Sequence, residues 1–472
     1  MPTGVMTAAP PAAGRGHGTL AVVAVAQFLI ALDYSVIYIA LPGIAADLAL
    51  DPALAQWVVS AYGVLFAGFL IVGGRLADRL GARRLFVLAV VGFGAAGALG
   101  GAAGDGTLLL AARAGQGLGA ALLQPAVLAL IGTAFPAGPA RTRALAVWGS
   151  VGASGLAAGA ILGGLLTTAS WRLTFFVNVP LTLLCALGAV LWTARPARGR
   201  APSGRLPVLA SVLGTGTVLT LVLGLTLAAD RGWTSGPALV PLALAPVLLL
   251  CFVRNERAAR GVLIEPVLRR IASLRTGAGA TALYMASVGS EFYLLTLLLQ
   301  TVEDYSPLQA GLAFLPLALM VTAGNAAAGR AVRRARPATV LLAGFAAAAA
   351  GLSWLALTLH GGSYAADLLP GLVLSGFGHG VIYSAMFVIG TRDVPAEHQG
   401  TAGALLTTSQ YLSGALTVAV LTLVLDTAPG HAQFRAAFLV TAAAAAAGAL
   451  LAAARRRAGS PDDPTGPPET GH

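Results

Sequence analysis

The chain has 472 residues, of which 57% are hydrophobic and only 10% charged. Soluble domains average about 25% charged residues, so this composition excludes a water-facing globule. The net charge of +11 comes from 29 bases against 18 acids, and every base is an arginine. Whether that excess marks nucleic-acid binding depends on where the arginines fall.

A helix crosses a bilayer with about 20 apolar residues. Fourteen such windows follow one another, at 19–42, 56–74, 85–104, 107–133, 144–168, 175–194, 206–228, 237–253, 276–302, 308–329, 338–359, 368–390, 401–425 and 434–454. Residues 1–18 lack the charged and then apolar layout of a cleavable leader and read as a disordered cytoplasmic tail. Residues 455–472 read as a second tail, rich in Pro, Gly and Asp toward its end. Every second loop is basic: one side of the membrane receives 25 of the 29 arginines, the other only Arg172, Arg231 and Arg435. The positive-inside rule then places both termini in the cytoplasm. Arginines spread over so many short loops describe orientation in a lipid bilayer, with no nucleic-acid partner. Cys185 and Cys251 both fall inside spans, which implies packing thiols and no disulfide framework.

Transporters are often built from duplicated halves, and the chain carries a faint echo of one. The segment from Gly74 to Gly81 (GRLADRLG) after the second span is answered by Gly329 to Arg336 (GRAVRRAR) after the tenth. Gly117-Leu118-Gly119 in the fourth span is answered by Gly376-Phe377-Gly378 in the twelfth. The layout that follows is a six-helix half over 19–194, two inserted spans with basic loops over 195–275, and a second six-helix half over 276–454.

The loop Gly74 to Arg84 (GRLADRLGARR) resembles the loop 2–3 motif of the major facilitator superfamily, with Ala82 where a basic residue is common. Arg113 to Ala121 (RAGQGLGAA) is similar to the span-4 motif of its proton-coupled members. Fourteen spans, Leu32-Asp33, and Trp171 to Pro180 (WRLTFFVNVP) resemble the fourteen-span drug:proton antiporter family. Tyr305 to Gly311 (YSPLQAG) and Ser409 to Ala415 (SQYLSGA) agree with its second half. The span-5 motif keeps Gly155, Gly159, Gly163 and Gly164 but has Ala160 in place of the usual proline. The resemblance implies an all-α integral membrane protein of the major facilitator fold. It implies a gate motif of Gly74, Asp78, Arg79, Gly81 and Arg83, with Asp78 as the acid of a cytoplasmic latch, and a span-4 motif that includes Gln116 and Gly117. It also implies a multi-pass, monomeric protein of the bacterial cytoplasmic membrane, driven by the proton gradient without a cofactor.

Ionisable groups cost about 2.5–3.5 kcal/mol at a helix centre on insertion scales, and three stand out: Asp33, Arg113 and Glu291. Along the helix axis Asp33 lies about 13 Å and Arg113 about 10 Å from the outer membrane face. They are therefore placed to pair, either as a proton-sensitive contact or as a permanent ion pair. Glu291 falls within about one turn of the position equivalent to Asp33 in the second half and has no base beside it in sequence. His379 is either a proton relay or a packing or substrate contact. Gln27, Tyr34, Gln124, Phe292 and His379 are the candidate cavity-lining residues, together with Tyr38, Asn178, Tyr284 and Gln410. Six histidines, two cysteines within spans and no Walker-type lysine leave metal, thiol and ATP chemistry without support.

The leading expectation is thus proton-driven efflux of an amphipathic small molecule by alternating access, without enzymatic activity. A proton-coupled importer is the alternative, and a polytopic membrane sensor or enzyme stands behind it.

Overall fold

The computed structural model describes residues 13–50, 52–136, 138–193, 208–258, 263–305, 307–360, 362–425 and 430–457. Among these residues fourteen long helices follow one another, with no strand. They are α1 (Ala13–Asp47), α2 (Pro52–Leu80), α3 (Ala82–Gly101), α4 (Gly106–Ala134), α5 (Pro139–Ala169), α6 (Leu173–Trp192) and α7 (Val208–Arg231). The rest are α8 (Gly236–Ala258), α9 (Ala272–Val302), α10 (Gln309–Ala331), α11 (Pro337–Thr358), α12 (Tyr364–Thr391), α13 (Ala396–Leu425) and α14 (His431–Arg457). Thirteen of them contain a stretch long and apolar enough to cross a membrane. The remaining helix, α5, has 31 residues, ample for a crossing.

Local sequence explains where helices stop and start. Gly81 turns α2 into α3 at a φ of 86°, a conformation that favours glycine. Asp105 opens α4 by accepting a hydrogen bond from the Leu108 amide at 2.9 Å. Proline occupies the first turn of α5 and α11, where no intrahelical N–H is lost. Two sequence expectations need correction. Helix α1 begins at Ala13, so residues 13–18 are helical; residues 1–12 and 458–472 lie outside the described residues. Cys185 is buried, but Cys251 is exposed on α8, because that helix turns most of its apolar side chains outward.

Packing repeats with a shift of eight helices. In the first group α1 packs on α4, α5 and α6, α2 on α4, and α3 on α4 and α6. In the second α9 packs on α12, α13 and α14, α10 on α12, and α11 on α12 and α14. The groups meet where α2 and α4 touch α13 and where α5 touches α10 and α12. Between them in sequence, α7 lies against both α2 and α13, and α8 packs on α7. Asp47 pins the first group at the outer side, accepting hydrogen bonds from Trp171 Nε1 at 2.9 Å and Arg172 Nη1 at 2.7 Å.

Candidate functional site

Asp33, Arg113 and Gln116 converge with Asn178 in one enclosed cluster. Asp33 is 1% exposed, as is Arg113. Arg113 Nη1 donates to Asp33 Oδ2 at 2.8 Å and to Gln116 Oε1 at 3.0 Å, and Nε donates to the Val58 carbonyl at 3.0 Å. Gln116 Nε2 and Asn178 Nδ2 both donate to Asp33 Oδ1, at 2.8 and 2.6 Å. Tyr62 adds its ring face, 4.6 Å from the guanidinium carbon, a cation–π contact. Arg113 and Gln116 are three residues apart on α4 and so share one helix face. Gly117 lets α4 approach α2, since a Cβ there would meet the Tyr62 backbone, with its Cα at 2.9 Å. Three donors on a dry carboxylate satisfy the charge that burial would otherwise penalise. Protonating Asp33 removes the charge that organises all three.

Glu291 is fully buried on α9, and the base that sequence order did not supply comes from α12. Ser375 Oγ donates to Glu291 Oε1 at 2.6 Å, and His379 Nδ1 lies 3.2 Å from Glu291 Oε2. His379 is itself fully buried, with Nε2 3.2 Å from Ser287 Oγ and its ring edge-on to Tyr284 at 5.8 Å. It is thus enclosed within the second half, where a cavity-lining position had been one expectation. Ser287 directs its hydroxyl to the Tyr284 carbonyl at 2.8 Å, so toward His379 it accepts. With Nε2 turned to that hydroxyl, His379 presents Nδ1 to Glu291.

The residues of the loop 2–3 motif make two sets of contacts. Asp78 spans the two groups: Oδ1 accepts from the Gly400 amide at 2.8 Å, and Oδ2 accepts from the Thr401 amide at 2.9 Å and hydroxyl at 2.5 Å. These amides open α13, so the carboxylate sits at the positive end of a helix. Gly74 makes the approach possible, because a Cβ there would lie 2.6 Å from Ala404 Cβ and 2.9 Å from Thr401 Cα. Arg79 is half-buried beside this contact. Arg83 does not bridge the groups. It donates to the Val190 carbonyl at 2.6 Å and so ties α3 to the end of α6. Deeper on the cytoplasmic side Trp148 of α5 stacks on Tyr383 of α12 at 5.4 Å and meets Phe387 edge-on at 5.1 Å.

Three of the four span-5 glycines form the contact with α1. A Cβ on Gly155 would meet the Phe28 carbonyl and Ala31 Cβ at 2.9 Å, one on Gly159 the Leu32 carbonyl at 2.8 Å, and one on Gly163 Val36 Cγ2 at 3.1 Å. Gly164 faces open space and is not part of that face, because it lies about 100° around the helix from Gly163. Gln27 and Gln124 are buried; Tyr34 and Phe292 are half-buried, and Tyr38 is 50% exposed. Tyr38 and Tyr34 share a hydroxyl contact of 3.3 Å, and Phe292 stacks on Phe314 at 5.2 Å.

Sequence reasoning left Asn178 as a lining residue and did not single out Tyr62, Ser287, Ser375 or Thr401. The repeat held a signal for the His379 pairing, since α9 and α12 answer α1 and α4. No sequence signal pointed to Thr401, whose backbone amide is half of what it contributes.

A family model described as Major Facilitator Superfamily matches residues 23–418. A puromycin resistance protein of Streptomyces alboniger is 38% identical over 85% of this chain and 80% of its own length. A cephamycin export protein of Amycolatopsis lactamdurans is 38% identical over 84% of this chain and 82% of its own. A probable actinorhodin transporter of Streptomyces coelicolor is 34% identical over 88% and 73%. Among solved structures, the human organic anion transporter MFSD10 superposes with a TM-score of 0.72 at 18% identity, over 94% of this chain and all of its own. The similarity of fold and of sequence lead to one conclusion: the chain is a multi-pass membrane protein that belongs to the major facilitator superfamily of transporters.

Proposed function

We propose that the protein is a secondary active exporter of the bacterial cytoplasmic membrane, moving an amphipathic small molecule outward against proton entry. The observation that carries this reading is the dry cluster in which Arg113, Gln116 and Asn178 all grip one carboxylate, Asp33. Arginine keeps its charge in proteins, so the proton occupancy of Asp33 alone sets whether α1 and α4 attract. Helix α1 in turn rests on the glycine face of α5, where the absence of side chains lets the two backbones approach closely. Loss of the Asp33 charge loosens α1 from α4, and the change passes to the contacts that hold α2 against α13. Half-buried Tyr34 and Phe292, with exposed Tyr38, offer an aromatic, adaptable surface suited to a hydrophobic or cationic substrate. The antibiotic resistance and export named in the relatives fit a substrate of this kind. The reading requires a monomer, protons and lipid, and no cofactor.

The test is dye transport in everted membrane vesicles from an efflux-deficient host, energised by a proton gradient, with ethidium as the cationic amphipathic probe. Wild type is expected to accumulate dye inside everted vesicles and to lose that activity when the gradient is collapsed. Asp33→Asn is expected to reduce it by tenfold or more, within the usual range of coupling between sites, about 5–150-fold. Full proton-driven accumulation by Asp33→Asn at equal expression overturns the assignment of the coupling acid. Gradient-driven movement in the opposite direction overturns export.

A further inference from the structure

We infer that Glu265, on the segment returning from the inserted pair α7–α8, is a gate-positioning residue that fastens the cytoplasmic ends of both halves together. Its Oε1 accepts from Arg75 Nη1 of α2 at 2.7 Å, and its Oε2 lies 3.1 Å from His398 Nε2, in the single 3₁₀ turn that opens α13. Arg75 precedes Asp78 by three residues and His398 precedes Thr401 by three, so each pair shares a helix face. The Glu265 bridge therefore lies one turn from the Asp78 latch and spans the same two helices.

The placement of Glu265 is built into the chain. Buried Glu256, near the end of α8, accepts from the amides of Leu263 at 2.7 Å and Ile264 at 3.2 Å, and pairs with Arg269. One carboxylate thereby folds the return segment back on itself. Leu263 is fully buried and packs in a cluster with Ile71 of α2 and Ala210 of α7, with Phe252 of α8 and Leu405 of α13 alongside. Higher up, Val218, Leu219 and Val222 of α7 pack on Val64 and Ala67 of α2 and on Tyr411 and Leu412 of α13. Helix α7 thus lies along the seam between the halves, and Glu265 closes that seam at its cytoplasmic end. Parting α2 from α13 requires both acids to release. The inserted pair is consequently a working part of the gate, holding it shut from the side. The inference rests on the alternating-access reading and is independent of the driving ion and the substrate.

The experiment places spin labels at Arg84→Cys and Arg333→Cys, both exposed on the cytoplasmic side of opposite halves, in a Cys185→Ala, Cys251→Ala background. Distances are read in full-length protein without substrate or gradient. Glu265→Gln is expected to raise the long-distance, cytoplasm-open population about threefold or more, as expected for loss of a partly buried pair. With His398→Glu added, the reversed pair, Arg75→Glu with Glu265→Arg, is expected to restore the closed distribution, which a merely structural role would not do. Asp78→Asn serves as the opening control. A wild-type distribution in Glu265→Gln, with Asp78→Asn open, overturns the inference, and so does failure of the reversed pair to close. If Glu265→Gln does not accumulate, His398→Gln reads the same bridge from its other end with the same expected opening. Labels that respond as expected in a protein with no vesicle transport would support the bridge while counting against the export reading.

Discussion

Asp33 and Glu291 occupy corresponding helices of the two halves, and each is gripped by the corresponding next-but-two helix, but the partners differ in kind. Asp33 faces a guanidinium, with two amides completing its shell. Glu291 faces an imidazole, with one serine hydroxyl on its other oxygen. A guanidinium keeps its charge, whereas an imidazole nitrogen can either donate or accept, so the two acids face partners of different chemistry. The surroundings differ in the same sense. Helix α5 meets α1 through bare glycine faces, whereas α13 is bonded to α9, by Ser413 Oγ to the Ala282 carbonyl at 2.8 Å and Thr281 Oγ1 to the Leu406 carbonyl at 3.0 Å. The first acid thus sits on a helix held by close backbone packing, and the second on a helix also tied by side-chain hydrogen bonds.

The largest expected effect separates the sites by stability. Arg113→Ala leaves a carboxylate buried without its cation, and breaking such a pair costs about 3–5 kcal/mol. Thermal unfolding in detergent should show that loss, together with abolished transport. His379→Ala should cost visibly less, because it removes one contact to Glu291 and leaves the Ser375 hydrogen bond in place, whereas Arg113 also bonds Gln116 and the Val58 carbonyl; equal losses would erase the distinction.

The next effect concerns pH. Glu291→Gln and His379→Gln each remove one member of the buried acid–imidazole pair. Each is expected to lower vesicle transport about fivefold and to change the shape of its dependence on pH. A pH profile that keeps its wild-type shape in both variants would assign the second site a packing role only.

The smallest pair of effects tests the glycine face. Gly159→Val forces a branched side chain against the α1 backbone, where overpacking costs about 1–3 kcal/mol. Gly164→Ala, one residue of the same motif away from that face, should stay within about 0.5 kcal/mol of wild type and transport normally. Similar behaviour of the two would remove the smooth face from the account.

Much of this protein could be read directly from its sequence. Apolar windows located fourteen helices because the bilayer leaves no other way to satisfy so many backbone groups. Arginine placement set the expected orientation, and the cost of charge in the membrane singled out Asp33, Arg113 and Glu291. Two departures within the motifs were of one type. Arg83 and Gly164 belong to motifs by spacing, but helix rotation sends one toward α6 and the other away from α1.

What the sequence determined by itself was therefore one-dimensional: which segments cross, which loops face the cytoplasm, and which charges topology cannot explain. These follow from composition and order, since each segment meets the same solvent wherever its neighbours lie. The tertiary structure alone decided the partnerships: Asn178 on Asp33, His379 on Glu291, Thr401 on Asp78, and Glu265 between Arg75 and His398. These residues stand between 88 and 323 positions apart or depend on backbone amides that carry no residue signature. Only the packing of helices, which fixes their rotation and depth together, brings such groups within hydrogen-bond reach.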